Sequence, residues 1–235
     1  MNVTAAVASR RSVRAFLPRP VDLALVRAAL EQAGRAPSGG NLQPWHVDVL
    51  TGEPLARLNA LMQTRLAEEA AGAPRREERA YTVFPDPLPE PWHGRRFAAG
   101  EAVYAQLGIA RGDKAARAQW LARNFCFFGA PVALFCSVER RMGPPQWAGL
   151  GMFLQTLMLL LHAQGVGSCA QEAWALYPQT VNQVLRLPAS RMVYCGMAIG
   201  YADAGHPVNA VRTERAPLGE WARFHGASGD FGSFS

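Results

Sequence analysis

Residues 10–14 read Arg-Arg-Ser-Val-Arg, and this stretch decides the fold assignment once two later segments are set beside it. Arg10, Ser12 and Arg14 are two residues apart, so an extended backbone would direct the three side chains to the same side. Guanidinium groups meet phosphate oxygens two at a time, which makes the stretch a candidate anion site. Taken alone, it is better explained as a solvated basic surface.

The second segment, residues 37–45, reads Pro-Ser-Gly-Gly-Asn-Leu-Gln-Pro-Trp and follows a predicted helix. Its glycines allow the backbone to approach a ligand closely, and Asn41 offers both a hydrogen-bond donor and an acceptor. Taken alone, the segment is a helix-to-strand turn rich in turn formers. The third segment, Arg212-Thr213-Glu214-Arg215, would close the other side of a phosphate.

In this order the three segments resemble the FMN-dependent nitroreductase family. The resemblance extends over nearly the whole chain, through residues 10–16, 36–45, 149–172 and 193–217. It implies an α+β fold with a central mixed or antiparallel sheet flanked by helices. It also implies an intertwined homodimer with two FMN molecules at the subunit interface.

The resemblance assigns cofactor-binding residues to both subunits. The phosphate and ribityl end of FMN would be held by Arg10, Arg11, Ser12, Arg14 and Arg215, with Arg212 assisting. The residues that would reach the flavin of the partner subunit are Pro37, Ser38, Gly39 and Asn41. Gln171 and Glu172 would lie along the ring and offer backbone N–H groups to its N5 and O4 edge. Gly39 replaces a serine frequent in the family, and Ala170 replaces a frequent proline; neither change removes a group that carries the chemistry.

The implied activity is an NADH- or NADPH-dependent oxidoreductase that reduces nitroaromatics, quinones or similar small aromatic acceptors by a ping-pong mechanism. FMN supplies the chemistry in such enzymes, so no catalytic side chain and no metal site are expected. Enone reduction, dehalogenation and flavin modification occur in the same family and stay open. A flavin carrier or sensor without turnover is a further alternative.

Composition and charge restrict the remaining function classes. The chain has 235 residues, of which 49% are hydrophobic and 18% charged, which predicts one globular domain over residues 1–235. Its net charge of +6 comes almost wholly from arginine, because Lys114 is the only lysine. A basic nucleic-acid-binding protein is the competing interpretation, but no recognition motif is present and acids lie among the arginines, so no nucleic acid is expected. Four dispersed cysteines predict free thiols in the cytoplasm.

Periodicity and turn residues place the segments on elements. Helices are expected at residues 2–9, from Asp22 to Gly34, from about 53, and at 97–107, 113–125, 146–164 and 178–185; strands are expected at 46–50, 131–138 and 192–201. Residues 72–96 are proline-rich and predict a lid or loop, and residues 203–235 predict a tail that extends over the partner subunit.

Two stretches resemble signals for other kinds of structure, a membrane span and a dinucleotide fingerprint. Residues 146–164 are interrupted by polar side chains and fall short of a membrane span, so a central helix at a dimer interface, and no membrane, is expected. Residues 165–170 fit G-x-G-x-x-A in letters but follow a helix, so they predict a loop along the flavin rather than a dinucleotide fingerprint.

Overall fold

One antiparallel sheet of four strands organises the computed structural model, which describes residues 1–225. The strands, in the spatial order β1-β2-β4-β3, are β1 (His46–Leu50), β2 (Val132–Glu139), β3 (Gly167–Gln171) and β4 (Arg191–Gly200). The helices within these residues are α1 (Val3–Ser9), α2 (Leu23–Ala33), α3 (Gly52–Ala70), α4 (Trp92–Gln106), α5 (Lys114–Ala122), α6 (Pro144–Ala163) and α7 (Pro178–Leu185). The α+β class is confirmed, and all the strand pairs are antiparallel.

The two central strands, β2 and β4, are covered on both faces. Because alternate residues of a strand point to opposite faces, Leu134 and Cys136 pack on the side of α2 and α6. Ala133 and Phe135 pack on the other side, in the core that includes residues of α3, α5 and α7. Both strands therefore read as continuous apolar runs.

Local signals set most of the helix boundaries. The carboxylate of Asp22 caps α2 by accepting a hydrogen bond from the N–H of Ala24 at 2.8 Å, and Gly34 follows the last helical residue. Leu55, Leu58 and Met62 form the buried side of α3, as their spacing predicts.

The longest helix, α6, packs against the sheet and against α2 and leaves part of its surface exposed. Leu150, Leu157 and Leu161 are fully buried, whereas Met152 is 40% exposed. No helix in residues 1–225 is long and apolar enough to cross a membrane.

The expectation of a loop at residues 165–170 was wrong, because β3 occupies residues 167–171. Its sequence, Gly-Ser-Cys-Ala-Gln, lacks the bulky β-branched residues that mark strands. Tertiary pairing with β4, from Gly167–Gly200 to Gln171–Gly196, fixes the extended conformation instead.

Two helix boundaries also differ from the expectations. Helix α4 begins at Trp92 rather than near residue 97, so the irregular segment ends at Pro91. Helix α5 ends at Ala122 rather than at Phe125, and the chain continues as the tighter 3₁₀ segment Arg123–Gly129. Phe127 and Phe128, with φ angles of 50° and 55°, then turn the backbone towards β2.

The irregular segment is fixed to the body of the protein near residues 77–80. The carboxylate of Glu77 accepts hydrogen bonds from the N–H groups of Gln179 at 2.7 Å and Thr180 at 3.0 Å. The N–H of Ala80 donates to the carbonyl of Ala175 at 2.7 Å. A lid function for this segment stays a prediction, as does a tail over the partner subunit; residues 226–235 of that tail lie outside the described residues.

Gly196 of β4 provides a direct test of the core packing. A Cβ atom at this position would lie 2.2 Å from Cδ1 of Trp174, whose side chain is fully buried. We expect Gly196→Ala to lower the free energy of unfolding by about 1–3 kcal/mol, measured by urea denaturation. Gly112→Ala is the control, because its Cβ would meet nothing within 4 Å. Equal midpoints for the two variants would contradict this packing.

Candidate functional site

The arginine motif at residues 10–14 runs in extended form along the edge of β3 that does not pair with β4. Ser12 and Ser168 form a parallel bridge, in which the N–H of Val13 donates to the carbonyl of Ser168 at 3.0 Å. A Cβ at Gly167 would come within 2.7 Å of Cγ2 of Val13. The glycine at position 167 therefore allows the motif to approach the sheet this closely.

Arg10, Ser12 and Arg14, the alternating residues of the motif, all influence the pKa of one side chain of β3. Burial raises the pKa of the Cys169 thiol, while the charge of Arg14, a hydrogen bond with Ser12 and the charge of Arg10 oppose that rise. Cys169 is the strand neighbour of Ser168, which bridges to Ser12 of the motif. A common orientation of the three side chains towards an anion stays a prediction.

The predicted phosphate-binding arginines have no carboxylate partner within residues 1–225. The ion pairs there involve Arg75, His93, Arg95, Arg117 and Arg191 instead. Nε of Arg11 is buried without a hydrogen-bond partner.

The C-terminal arginines likewise contact only neutral groups of their own segment. Nη1 of Arg212 donates to the carbonyl of Asn209 at 3.2 Å, and Nη1 of Arg215 donates to Oγ1 of Thr213 at 2.7 Å. Both side chains belong to exposed residues. The arginines of both segments therefore keep a positive charge that is available to an anion.

Asn209 joins the two arginine segments and was missed in the sequence. Its Oδ1 accepts a hydrogen bond from the N–H of Arg14 at 2.9 Å, and its Nδ2 donates to the carbonyls of Ala15 and Asp203, each at 2.8 Å. The residue is 2% exposed. A single asparagine in an irregular segment carries no sequence signal that would have identified it.

The second predicted segment forms an exposed loop braced by its own serine. Oγ of Ser38 accepts from the N–H of Gln43 at 3.0 Å, and Gly40 and Asn41 have φ angles of 59° and 55°. The loop packs on α6, where a Cβ at Gly149 would lie 3.4 Å from Cβ of Ser38. Of the remaining predicted contacts, Pro37, Gly39 and Asn41 are exposed.

Within one chain, the loop and the arginine motif lie at opposite ends of α6. The loop contacts the helix at Gly149, whereas Nε2 of His162 lies 2.7 Å from Oγ of Ser9, beside the motif. The two contacts are 13 positions apart along the helix, which corresponds to about 20 Å along its axis. The structure therefore does not bring these two predicted parts of the site together within one chain.

The side chains of Gln171 and Glu172, at the end of β3, differ in their exposure to solvent. The side chain of Gln171 is buried, and its Nε2 donates to the carbonyl of Asn124 at 2.7 Å. Glu172 is exposed, but the surrounding protein still raises the pKa of its carboxyl group by desolvation. Of these two residues, Glu172 is thus the one whose side chain is accessible.

Histidine, cysteine and acidic side chains do not form a metal site in the part of the chain that the structure describes. No group of three or more of them there is placed to hold an ion. The four cysteines are free, and three of them, Cys136, Cys169 and Cys195, are buried.

Comparison with known proteins assigns the family. The sequence profile described as "Nitroreductase family" matches residues 7–201. The chain belongs to this family. The match includes the arginine motif, the loop at residues 37–45 and β3, and it ends before Arg212 and Arg215.

Individual nitroreductases are similar over nearly their full length. A 4-nitrobenzoate reductase of Pseudomonas putida is 38% identical over 94% of this chain and 95% of its own. The crystal structure of the FMN and NADPH-dependent nitroreductase NfnB from sphigopyxis sp. strain HMH has a TM-score of 0.92 and 46% identity, covering 97% of this chain and 100% of its own. The FMN-dependent NfnB from Mycobacterium smegmatis, in complex with NADPH, has a TM-score of 0.87 and 34% identity, covering 95% and 99%.

The raised pKa of Glu172 makes a prediction about pH. The folded chain binds this proton more tightly than the unfolded chain, so ionised Glu172 destabilises the fold above its folded-state pKa. We expect Glu172→Gln to unfold at higher urea concentration than the wild type at pH 8, at equal cofactor content. The difference should shrink as the pH falls towards about 4, where the free carboxyl group protonates. A difference that does not change with pH would refute this assignment.

Proposed function

We propose that this nitroreductase family member is an FMN-dependent NADPH oxidoreductase that reduces nitroaromatic compounds. The observation that carries the proposal is the pair of arginine segments, which share Asn209 as a link and have no carboxylate partner within residues 1–225. Uncompensated guanidinium groups beside one another repel, and a phosphate dianion relieves that repulsion. The residues present therefore fit the phosphate end of FMN.

The phosphate would bind between the motif on β3 and the C-terminal segment. Arg10, Ser12 and Arg14 would supply donors from one side, and Arg212 and Arg215 from the other. Arg215 would exchange its present bonds to neutral oxygens of its own segment for phosphate oxygens, a rearrangement open to an exposed side chain. Arg11, whose Nε is buried without a hydrogen-bond partner, would be a further donor from the same segment.

The flavin ring would lie between two subunits. Within one chain, the loop at residues 37–45 and the arginine motif are separated by about 20 Å along α6. A two-fold axis beside α6 would bring the loop of one chain next to the motif of the other. Exposed Met152 on α6, and Val3 and Val7 on α1, supply apolar surface for that contact. We propose a homodimer on these grounds, and sedimentation should give twice the 25.5 kDa of the chain.

The protein's contribution is to orient the reactants and to exclude water. FMN, held by these residues, would supply the redox chemistry between the nicotinamide and the aromatic acceptor, which would use the same place in turn. The backbone N–H at Glu172 would lie beside the ring edge, and the exposed Asn41 of the partner subunit would meet its pyrimidine end. This arrangement needs no nucleophilic side chain and gives ping-pong kinetics.

The names of similar proteins support the choice of substrate and donor. Relatives include reductases of 4-nitrobenzoate, chloronitrobenzene and nitrobenzene, each at least 35% identical to this chain. NADPH dependence is stated for the NfnB structure at 46% identity. We place the protein in the cytoplasm because its four free cysteines suit a reducing compartment.

The visible spectrum of the purified protein tests the proposed function. We expect a flavin spectrum that bleaches on anaerobic addition of NADPH, more rapidly than with NADH, and that returns when 4-nitrobenzoate or nitrobenzene is added. Flavin that is bound but not reduced by either nucleotide would instead indicate a carrier. A colourless protein that takes up no FMN would refute the cofactor site.

Arg215 tests the phosphate assignment. We expect Arg215→Ala to lose FMN during purification and to stay folded, because the side chain is exposed and contacts only its own segment. Loss of one charge-assisted hydrogen bond weakens binding by about tenfold or more. The control is Arg57→Ala, an exposed arginine on α3, which should keep its flavin. Full flavin retention in Arg215→Ala would remove this residue from the site.

A further inference from the structure

We infer that Asn209 is a positioning residue, which sets the two arginine segments at the separation that a flavin phosphate requires. This inference rests on the proposed function, because it concerns the same phosphate site. Asn209 itself would not touch the cofactor. It would act through Arg14 on one side and Arg212 on the other.

The side chain of Asn209 uses both of its polar atoms to bind backbone groups. Oδ1 accepts from the N–H of Arg14 at 2.9 Å, within the motif. Nδ2 donates to the carbonyl of Ala15 at 2.8 Å, one residue further along the motif, and to the carbonyl of Asp203 at 2.8 Å. The amide orientation is fixed, because exchange of its oxygen and nitrogen would set like groups against each other at all three contacts.

The backbone of Asn209 completes the connection to the C-terminal segment. Its N–H donates to the carbonyl of His206 at 3.0 Å within the 3₁₀ turn Pro207–Ala210, and its carbonyl accepts from Nη1 of Arg212 at 3.2 Å. One residue thus contacts the backbone that bears Arg14 and the side chain of Arg212. A shift of Asn209 would change the distance between the two guanidinium groups.

Because Asn209 is buried, loss of its side chain should affect binding of the phosphate rather than binding of the flavin ring. Asn209 is 2% exposed, so its hydrogen bonds are shielded from bulk water. Without its side chain the N–H of Arg14 would lose its partner, whereas the carbonyl of Ala15 would keep the hydrogen bond from the N–H of Asp203 at 3.0 Å. The part of the motif around Arg14 would then be held less firmly against the C-terminal segment. A flavin whose phosphate is held by both segments would therefore lose affinity. A flavin that lacks the phosphate and binds only through its ring would not.

The comparison of FMN with riboflavin separates these two cases, because riboflavin lacks the phosphate. The full-length protein is loaded with either flavin and diluted, and the fluorescence of the released flavin gives the dissociation constant. We expect Asn209→Ala to weaken FMN binding by about tenfold, the equivalent of one charge-assisted hydrogen bond, and riboflavin binding by less than about threefold. Asn209→Ser keeps a hydroxyl group that replaces one of the bonds, and should give an intermediate ratio.

Thr180→Val is the matched control for a purely structural effect. Thr180, near the start of α7, is also fully buried and is hydrogen-bonded to the carboxylate of Glu77. These hydrogen bonds involve neither arginine segment. We expect its thermal unfolding temperature to fall while its FMN-to-riboflavin ratio stays that of the wild type. If Asn209→Ala does not fold, Asn209→Ser supplies the ratio.

The possible outcomes distinguish the inference from the proposed function. An unchanged FMN-to-riboflavin ratio in the Asn209 variants, with only a lower unfolding temperature, would overturn the positioning role and leave the proposed function intact. A wild-type protein that binds both flavins equally would overturn the phosphate site itself. A wild-type protein that binds neither flavin would overturn the proposed function.

Discussion

The close approach of residues 10–14 to β3 is the contact on which the rest of the site depends. It requires a strand with almost no side-chain volume at Gly167, because Val13 occupies that space. Once the motif lies there, the bridge from Ser12 to Ser168 fixes its extended form. The small side chains of β3 therefore leave the room that an arginine-rich segment needs to lie along the edge of the sheet.

The arrangement of charge follows from the same contact. The arginines of the motif have no carboxylate partners among residues 1–225, so their mutual repulsion would be relieved by a bound anion. An anion that binds only the folded state would stabilise that state by mass action. Under the proposed function, flavin binding would thus stabilise the fold through the arginines, and Asn209 contacts the backbone of Arg14 and the side chain of Arg212.

Much of the fold could be predicted from the sequence, because strong local signals determine it. Asp22 and Gly34 delimit α2, and the apolar runs at residues 131–138 and 192–201 mark the central strands to within one residue. β3 could not be predicted, because its extended form comes from pairing with β4 rather than from its own residues. The motifs around Arg10 and Asn41 were visible, since glycines, arginines and turn formers have distinctive spacing. Asn209 was not, because its role arises only when segments nearly 200 residues apart meet.

Under the proposed function, each site is built from two chains, with arginines from one and the loop at residues 37–45 from the other. Co-expression of Arg215→Ala and Asn41→Asp chains under two different affinity tags tests it directly. Each variant alone should lose FMN, while the doubly purified mixed dimer has one site that carries both substitutions and one that carries neither. We expect the mixed dimer to recover FMN at one molecule per two chains and to regain NADPH-dependent activity. A mixed dimer as colourless as either parent would show that each chain builds its site alone and would refute the two-chain site.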